Sequence, residues 1–368
     1  MKVCVLGLRG IPDVVGGIET HCQQLLPRLK QIRPADDFVV LSREAYVPPG
    51  PYDHDGLKVV PLWHARGRHF EAITNALVAV FHARFKSHCE VVHIHAIGPA
   101  LVAPLARALG LKVVVTHHGT DYDRAKWNSF AKWVLRMGER CAVRFSDRVI
   151  AVSPTLCQSL KQAFPRHASK IFYVPNGASH FDAHPANADM NGVLQRFGLE
   201  RGNYVISVGR IVPEKGFHDL VEAYGRSGID AKLVIVGGAE DGDPYFQKLR
   251  QNAGKNIVFT GYMGQADLAV LLSDASLFVL PSYHEGLPIA ALEAASCGAP
   301  ILLSDIQPNK DLGLPESNYF RVGDIDDLSE NLQRDPDTFR IDLQATIERF
   351  DWDVIARQTS DVYDSLGN

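Results

Sequence analysis

Residues 204–224 read YVISVGRIVPEKGFHDLVEAY, and the order of parts within them decides the fold class. Tyr204–Val208 is a short apolar run, a strand. GRIVPEKG follows as a glycine loop, and Phe217–Tyr224 repeats apolar residues at helical spacing. Strand, glycine loop and helix open a doubly wound α/β unit. The same order opens the chain. Lys2–Leu8 is a strand and GLRGIPDVVGG a glycine-rich loop, and Ile18, Cys22, Leu25, Leu26 and Leu29 recur at helical spacing. Pro27 falls inside that helix and predicts a kink or an early end.

Further strands read at Phe38–Ser42, Lys58–Leu62, Val91–His95, Lys112–Thr116 and Arg148–Ser153, then at Lys232–Val236, Ile257–Thr260, Leu277–Leu280 and Pro300–Leu303. Helical patterns fill most of the gaps. This predicts two α/β domains, 1–180 and 190–350, each a parallel sheet with helices on both faces. The linker falls near residues 176–195, with VPNGAS as a hinge turn around Asn176-Gly177. The last stretch, FDWDVIARQTSDVYDSL, is an amphipathic helix that could close back on either domain. In open parallel sheets ligands bind beyond the carboxyl ends of the strands, so the loops there are where chemistry is sought.

A chain of 368 residues, 46% hydrophobic and 22% charged, is a normal globular protein too long for one ordinary core. No apolar run reaches the ~18 residues of a spanning helix. MKVCVLGLRG does not read as a signal peptide. The six cysteines are scattered without metal-like spacing, which predicts reduced thiols in a cytoplasmic protein. Residues 1–180 carry 23 Lys+Arg against 13 Asp+Glu, so the remainder carries 15 against 29. A basic first half suits a membrane surface, a phosphorylated acceptor or nucleic acid; complementarity between the two domains is the other reading. No nucleic-acid-binding module is recognisable.

Arg210 and Lys215 both sit in GRIVPEKG, a strand-end loop feeding a helix N-terminus. That pairing suits a diphosphate or, read plainly, a solvated surface. In YHEGLPIAALEAASCGAP, residues 283–300, Gly286 and Leu287 can present backbone N–H groups and Pro288 fits the first helical position. Glu285 precedes that helix and Glu293 lies a turn inside it. Two carboxylates beside a phosphate site are poor phosphate ligands but good acceptors for sugar and ribose hydroxyls. The plain alternative is a capping carboxylate and a solvated helix face. In VTHHGTDYD, His118 at a strand end is placed to face a cleft, whereas His117 packs or points to solvent. Gly16 and Gly17 allow close approach of a ligand to the backbone, with Glu19 at the helix start; a plain turn is the other reading. Lys126, Trp127, Phe130, Lys132, Trp133, Arg136, Arg140 and Arg144, in the helical stretch 124–144, suit a membrane interface or acidic partner. They fit equally a helix with core aromatics and solvated cations. No metal site is evident; Asp241 and Asp243 in GGAEDGDP come nearest.

EGLPIAALE, GRIVPEKG, VPNG, GGIETH and THHGTD together resemble the retaining glycosyltransferases of family 4. The likeness covers nearly the whole chain, and GTDYDRAKWNSFAKWVLRMGE is similar to bacterial enzymes of surface-polysaccharide assembly, with Tyr122 where tryptophan is expected. The resemblance implies the GT-B fold, two doubly wound Rossmann-like domains facing across a cleft, with a helix at about 352–368 packing back on the first. It implies a retaining, metal-independent hexosyl- or deoxyhexosyltransferase. The donor would be a UDP, GDP or dTDP sugar and the acceptor a lipid-linked or growing glycan at the inner membrane face. No cofactor is implied. Arg210 and Lys215 would hold the diphosphate, Glu285 the sugar and Glu293 the ribose. Gly286 and Leu287 would give backbone contacts, Tyr262 would lie near the base, and His118 beside the reacting sugar. Gly16 and Gly17 would pass close to phosphate and acceptor. A nucleotide-sugar 2-epimerase and a non-catalytic nucleotide-sugar-binding protein share the fold and are the alternatives. A dinucleotide oxidoreductase fits least, because neither glycine loop reads G-x-G-x-x-G.

Overall fold

Strand-to-strand pairing organises the chain into two units, Met1–Gly177 with Trp352–Asn368, and Ala178–Asp351. The computed structural model describes residues 1–14, 16–67, 70–120, 122, 128–177, 190–239, 242–341 and 348–367. Most of the expected linker, 178–189, therefore lies outside the described residues.

The first unit is built on β1 (Lys2–Leu6), β2 (Asp37–Arg43), β3 (Tyr52–His54), β4 (Leu57–Leu62), β5 (Val91–His95), β6 (Lys112–His117), β7 (Arg148–Ala151) and β8 (Ile171–Tyr173). They form one sheet in the order β3-β4-β2-β1-β5-β6-β7-β8. Its helices are α1 (Gly17–Ile32), α2 (Glu71–Phe85), α3 (Ala103–Ala108), α4 (Ser129–Phe145) and α5 (Pro154–Ala163). The strands are near-continuous apolar runs because both faces are covered. Val3 and Val5 of β1 join a core with Cys22, Leu25, Leu26 and Leu29 of α1. Cys4 and Leu6 point the other way, into a core with Ala76, Ala79 and Val80 of α2 and Ala142 of α4. Gly138 lets α4 lie close against the loop after β5, since a Cβ there would sit 2.0 Å from the carbonyl oxygen of Ile97.

The second unit carries β9 (Tyr204–Val208), β10 (Lys232–Val236), β11 (Ile257–Gly261), β12 (Leu277–Leu280), β13 (Ile301–Ser304) and β14 (Tyr319–Phe320). Their order is β11-β10-β9-β12-β13-β14. Its helices are α6 (Met190–Arg196), α7 (Phe217–Ser227), α8 (Pro244–Asn252), α9 (Gln265–Ser273), α10 (Ile289–Ser296), α11 (Gln307–Lys310) and α12 (Ile325–Leu332). Phe217, Leu220 and Val221 of α7 pack with Leu328 and Leu332 of α12 over Val205, Leu233 and Val279.

The last helix, α13 (Trp352–Asp364), belongs to the first unit, where Trp352, Ile355, Ala356, Val362 and Tyr363 enter the core beside α1. Polar ties fix it. Arg33 pairs with Asp364 at 2.6 Å, and the Tyr363 hydroxyl lies 2.7 Å from His93 Nδ1 under the sheet. Gly177 closes against Trp352; a Cβ on it would fall 2.3 Å from the indole ring.

Four sequence expectations need correction. Helix α1 does not end early at Pro27 but runs to Ile32, because Leu25, Leu26 and Leu29, all buried, hold it through the missing hydrogen bond. The first sheet is not wholly parallel, since β3 pairs antiparallel with β4 at the edge. Strands β3, β8 and β14 are only two or three residues long, too short for a periodic signal. Cys4 and Cys89 form a disulfide across 85 residues, a spacing with no signature; Cys22, Cys141, Cys157 and Cys297 are free thiols.

Candidate functional site

Strand order reverses between β9 and β12, which pair in parallel in the second sheet. A crevice opens at such a reversal beyond the carboxyl ends of the two strands. The loop after β9 brings Arg210 and Lys215 to it, and the loop after β12 brings Glu285, Gly286 and Leu287. The two loops lock together. Gly216 has φ +68, and a Cβ there would lie 2.0 Å from the Pro281 carbonyl oxygen. The Tyr283 amide donates to the Glu214 carbonyl at 2.9 Å. Lys215 Nζ then meets Glu285 Oε1 at 2.5 Å, and the Ser282 hydroxyl donates to the same oxygen at 2.6 Å. Both partners are largely shielded, at 20% and 9% side-chain exposure.

Helix α10 starts at the rim of this pair. Pro288 precedes its first residue instead of occupying it, and no side chain caps the N-terminus. The first amides there are therefore uncapped by side chains, and the helix dipole favours an anion. Leu287 is buried, and Glu293, five residues into the helix, is 8% exposed. Burial pushes the Glu293 carboxyl up to about 7. Tyr262 is 54% exposed after β11, and its ring covers Gly238, where a Cβ would come within 2.5 Å. An exposed aromatic on a glycine floor at a strand end can stack a planar ring. Arg210, Lys215, Glu285, Gly286, Leu287, Glu293 and Tyr262 thus belong to the carboxyl-end loops and adjoining helix of one sheet.

In the first sheet the reversal lies between β1 and β5. A Cβ on Gly16 would fall 2.0 Å from Glu19 Oε2, whereas one on Gly17 would meet nothing within 4 Å. Glu19 in turn accepts from the Arg9 amide at 2.9 Å. His118, just past β6, lies with its Nε2 3.0 Å from His95 Nδ1. His21 Nδ1 is 2.9 Å from Asn176 Oδ1, so the turn residue Asn176 serves as a buried side-chain partner. His117 packs instead, with Nε2 3.1 Å from Glu139 Oε2, which also accepts from the Tyr122 hydroxyl.

Two families match the chain in sequence order: Glycosyltransferase Family 4 over residues 15–180 and Glycosyl transferases group 1 over residues 195–334. The chain is a family 4 glycosyltransferase. Its fold class is GT-B, with two Rossmann-like domains. The glycosyltransferase is 26% identical to alpha-maltose-1-phosphate synthase of Mycolicibacterium smegmatis, over 99% of each chain. Sucrose-phosphate synthase of Thermosynechococcus elongatus superposes with a TM-score of 0.82 at 22% identity, over 99% of this chain and 98% of that one. Anabaena HepE, solved in complex with UDP-glucose, superposes with a TM-score of 0.77 at 20% identity, over 99% and 100%.

The basic aromatic stretch of the glycosyltransferase resolves into α4; Lys126 and Trp127 lie outside the described residues. Its aromatics are not core. Phe130 and Trp133 stack on each other at 6.0 Å while 71% and 56% exposed. Arg136, Arg140 and Arg144 are exposed at helical spacing. Helix α2, over the same sheet face, adds a second exposed stacked pair, Phe81 and Phe85. That pair escaped the sequence reading because α2 is apolar nearly all round. Asp243 caps α8 by accepting from the Phe246 amide at 3.0 Å, and Asp241 lies outside the described residues. Among the described residues no helix is long and apolar enough to cross a membrane. Ser282, which orients Glu285, and the buried His21, His93 and His95 were also missed; only the strand-end position of His95 could have flagged any of them.

Proposed function

We propose that the enzyme transfers a hexose or deoxyhexose from a nucleoside diphosphate sugar to a lipid-linked or growing glycan acceptor, with retention at the anomeric carbon and without a metal ion. The observation that carries this is the meeting of Arg210, Lys215 and the uncapped α10 N-terminus with Glu285 and Glu293 at one sheet reversal. The departing group is a diphosphate, which needs charge neutralisation more than a proton. Two cations and a helix N-terminus supply that without a divalent ion. Glu285, held by Ser282, accepts from hydroxyls of the donor sugar, and Glu293 accepts from the ribose. Gly286 and Leu287 offer backbone amides, and Tyr262 stacks on the base. The leaving phosphate takes the acceptor proton on the face from which it departs, which yields retention. The resemblance assigns His118 to the reacting sugar and Gly16 and Gly17 to phosphate and acceptor, and the proposal adopts those roles. HepE, the similar structure that binds UDP-glucose, supports a nucleoside diphosphate sugar as donor.

The exposed Phe130 and Trp133, flanked by Arg136, Arg140 and Arg144, support contact of the first unit with an anionic bilayer carrying the acceptor lipid. The deciding experiment is a thermal-shift screen against UDP, GDP, dTDP, ADP and their sugars, with and without EDTA. Stabilisation by one nucleotide family, indifferent to EDTA, is the expected result. No response to any nucleotide would refute the donor site, and a response abolished by EDTA would refute metal independence.

A further inference from the structure

His21, His95 and His118 converge on one point of the first unit from three elements: α1, the end of β5 and the residue after β6. One ring nitrogen from each lies within 4.8 Å of those of the other two. His21 and His95 are buried and His118 is partly open. The Asn176 side-chain oxygen can only accept, so it places the His21 proton on Nδ1 and leaves the lone pair on Nε2. That Nε2 is buried without a hydrogen-bond partner. The neighbouring His93 shows what a merely packed ring looks like here: Tyr363 satisfies one nitrogen and Thr116 the other, each at 2.7 Å.

We propose that His21, His95 and His118 form a binding site for one divalent transition-metal ion, zinc foremost. Imidazole is the ligand type that suits zinc, copper and nickel. Two nitrogens of a tetrahedral zinc site stand about 3.3 Å apart, given Zn–N bonds of about 2.0–2.1 Å. His95 Nδ1 and His118 Nε2 already stand 3.0 Å apart, so His95 would ligate through Nδ1. Asn176 acts on His21 as the outer hydrogen-bond partner that fixes a ligand's tautomer. The open side of His118 leaves a fourth position for water or a substrate oxygen. The site lies in the first unit and takes no part in neutralising the diphosphate, so it stands whether or not the donor reading does. Its occupancy would engage the His118 imidazole, and zinc would then inhibit transfer.

The test uses the full chain, stripped with EDTA and desalted, then titrated with Co²⁺ while visible absorption is followed. The expected result is intense low-coordinate cobalt bands saturating at one equivalent per chain and displaced by Zn²⁺. His118→Gln and His21→Gln should each weaken Zn²⁺ binding at least tenfold, and Asn176→Ala by about 10–100-fold. His167→Gln, in the same unit but outside the cluster, should leave it unchanged. Absence of cobalt bands in the wild-type chain would overturn the proposal, as would stoichiometric binding indifferent to His118→Gln. The wild-type spectrum decides even if a buried variant fails to fold.

Discussion

Lys215 and Glu285, 70 residues apart, form an ion pair at 2.5 Å between the loops that follow β9 and β12. Each is the other's counter-ion in the protein without substrate. Under the proposed function, a diphosphate arriving at Lys215 would compete with Glu285 and release the carboxylate toward the donor's hydroxyls, so the pair would couple neutralisation of the leaving group to presentation of that carboxylate.

Substituting either partner separates these duties. Glu285→Ala should slow transfer by ~10²–10³-fold, the loss typical of one electrostatic contact to a transition state. Binding of the nucleoside diphosphate itself should persist or tighten, because Lys215 loses its competitor. Lys215→Ala should weaken both. Steady-state rates and calorimetric titration of the nucleotide measure the two effects; equal loss of both in Glu285→Ala would remove that residue from the sugar.

Glu293 should make stability depend on pH. Its carboxyl ionises near 4.5 when unfolded but holds its proton to about 7 when folded. The folded form thus binds more protons across that window, and stability must fall as pH rises through it. The loss is about 3 kcal/mol once the group is fully ionised. Glu293→Gln stays neutral, so it should match the wild type near pH 4.5 and exceed it at pH 8. Urea unfolding at both values reads this directly, and parallel pH profiles for the two proteins would contradict it.

Gly216→Ala should cost more than its size suggests. The added methyl meets the Pro281 carbonyl at 2.0 Å, at a φ of +68 that side chains rarely adopt. Forcing the loops apart should break the Lys215–Glu285 pair, so nucleotide affinity and transfer fall together. Gly17→Ala, whose Cβ meets nothing within 4 Å, is the paired control for folding.

Charge and aromatic contributions on α4 should separate by salt. Reversing Arg136, Arg140 and Arg144 to glutamate should weaken binding to anionic vesicles, with about 1 kcal/mol lost for each cation removed, and the effect should shrink at high salt. Phe130→Ala with Trp133→Ala should weaken binding at any salt concentration. Vesicle co-sedimentation of both variants, unchanged from wild type, would leave the face as ordinary surface.

Strand β5, Val91–His95, was legible to the residue because Val91, Val92 and Ile94 carry the apolar signal through five consecutive buried positions, although His93 and His95 interrupt it. Tyr204–Val208 and Lys232–Val236 read equally well for the same reason. The edge strands β3, β8 and β14 did not, because two or three residues show no period. Nor did the Cys4–Cys89 disulfide, whose partners meet only once β1 and α2 have packed.

Local pattern thus sufficed for the alternation of strand and helix, for the two glycine loops and for the residue types at the strand ends, since each depends on neighbours a few positions away. Packing settled the rest. It carried α1 through Pro27, turned Phe130 and Trp133 outward, and buried Glu293 far enough to hold its proton near neutrality. It also brought His21, His95 and His118 to one point and set Lys215 against Glu285. Those outcomes depend on distances between residues 20 to 100 positions apart, and only a folded chain, with its burial and its close backbone approaches, can set them.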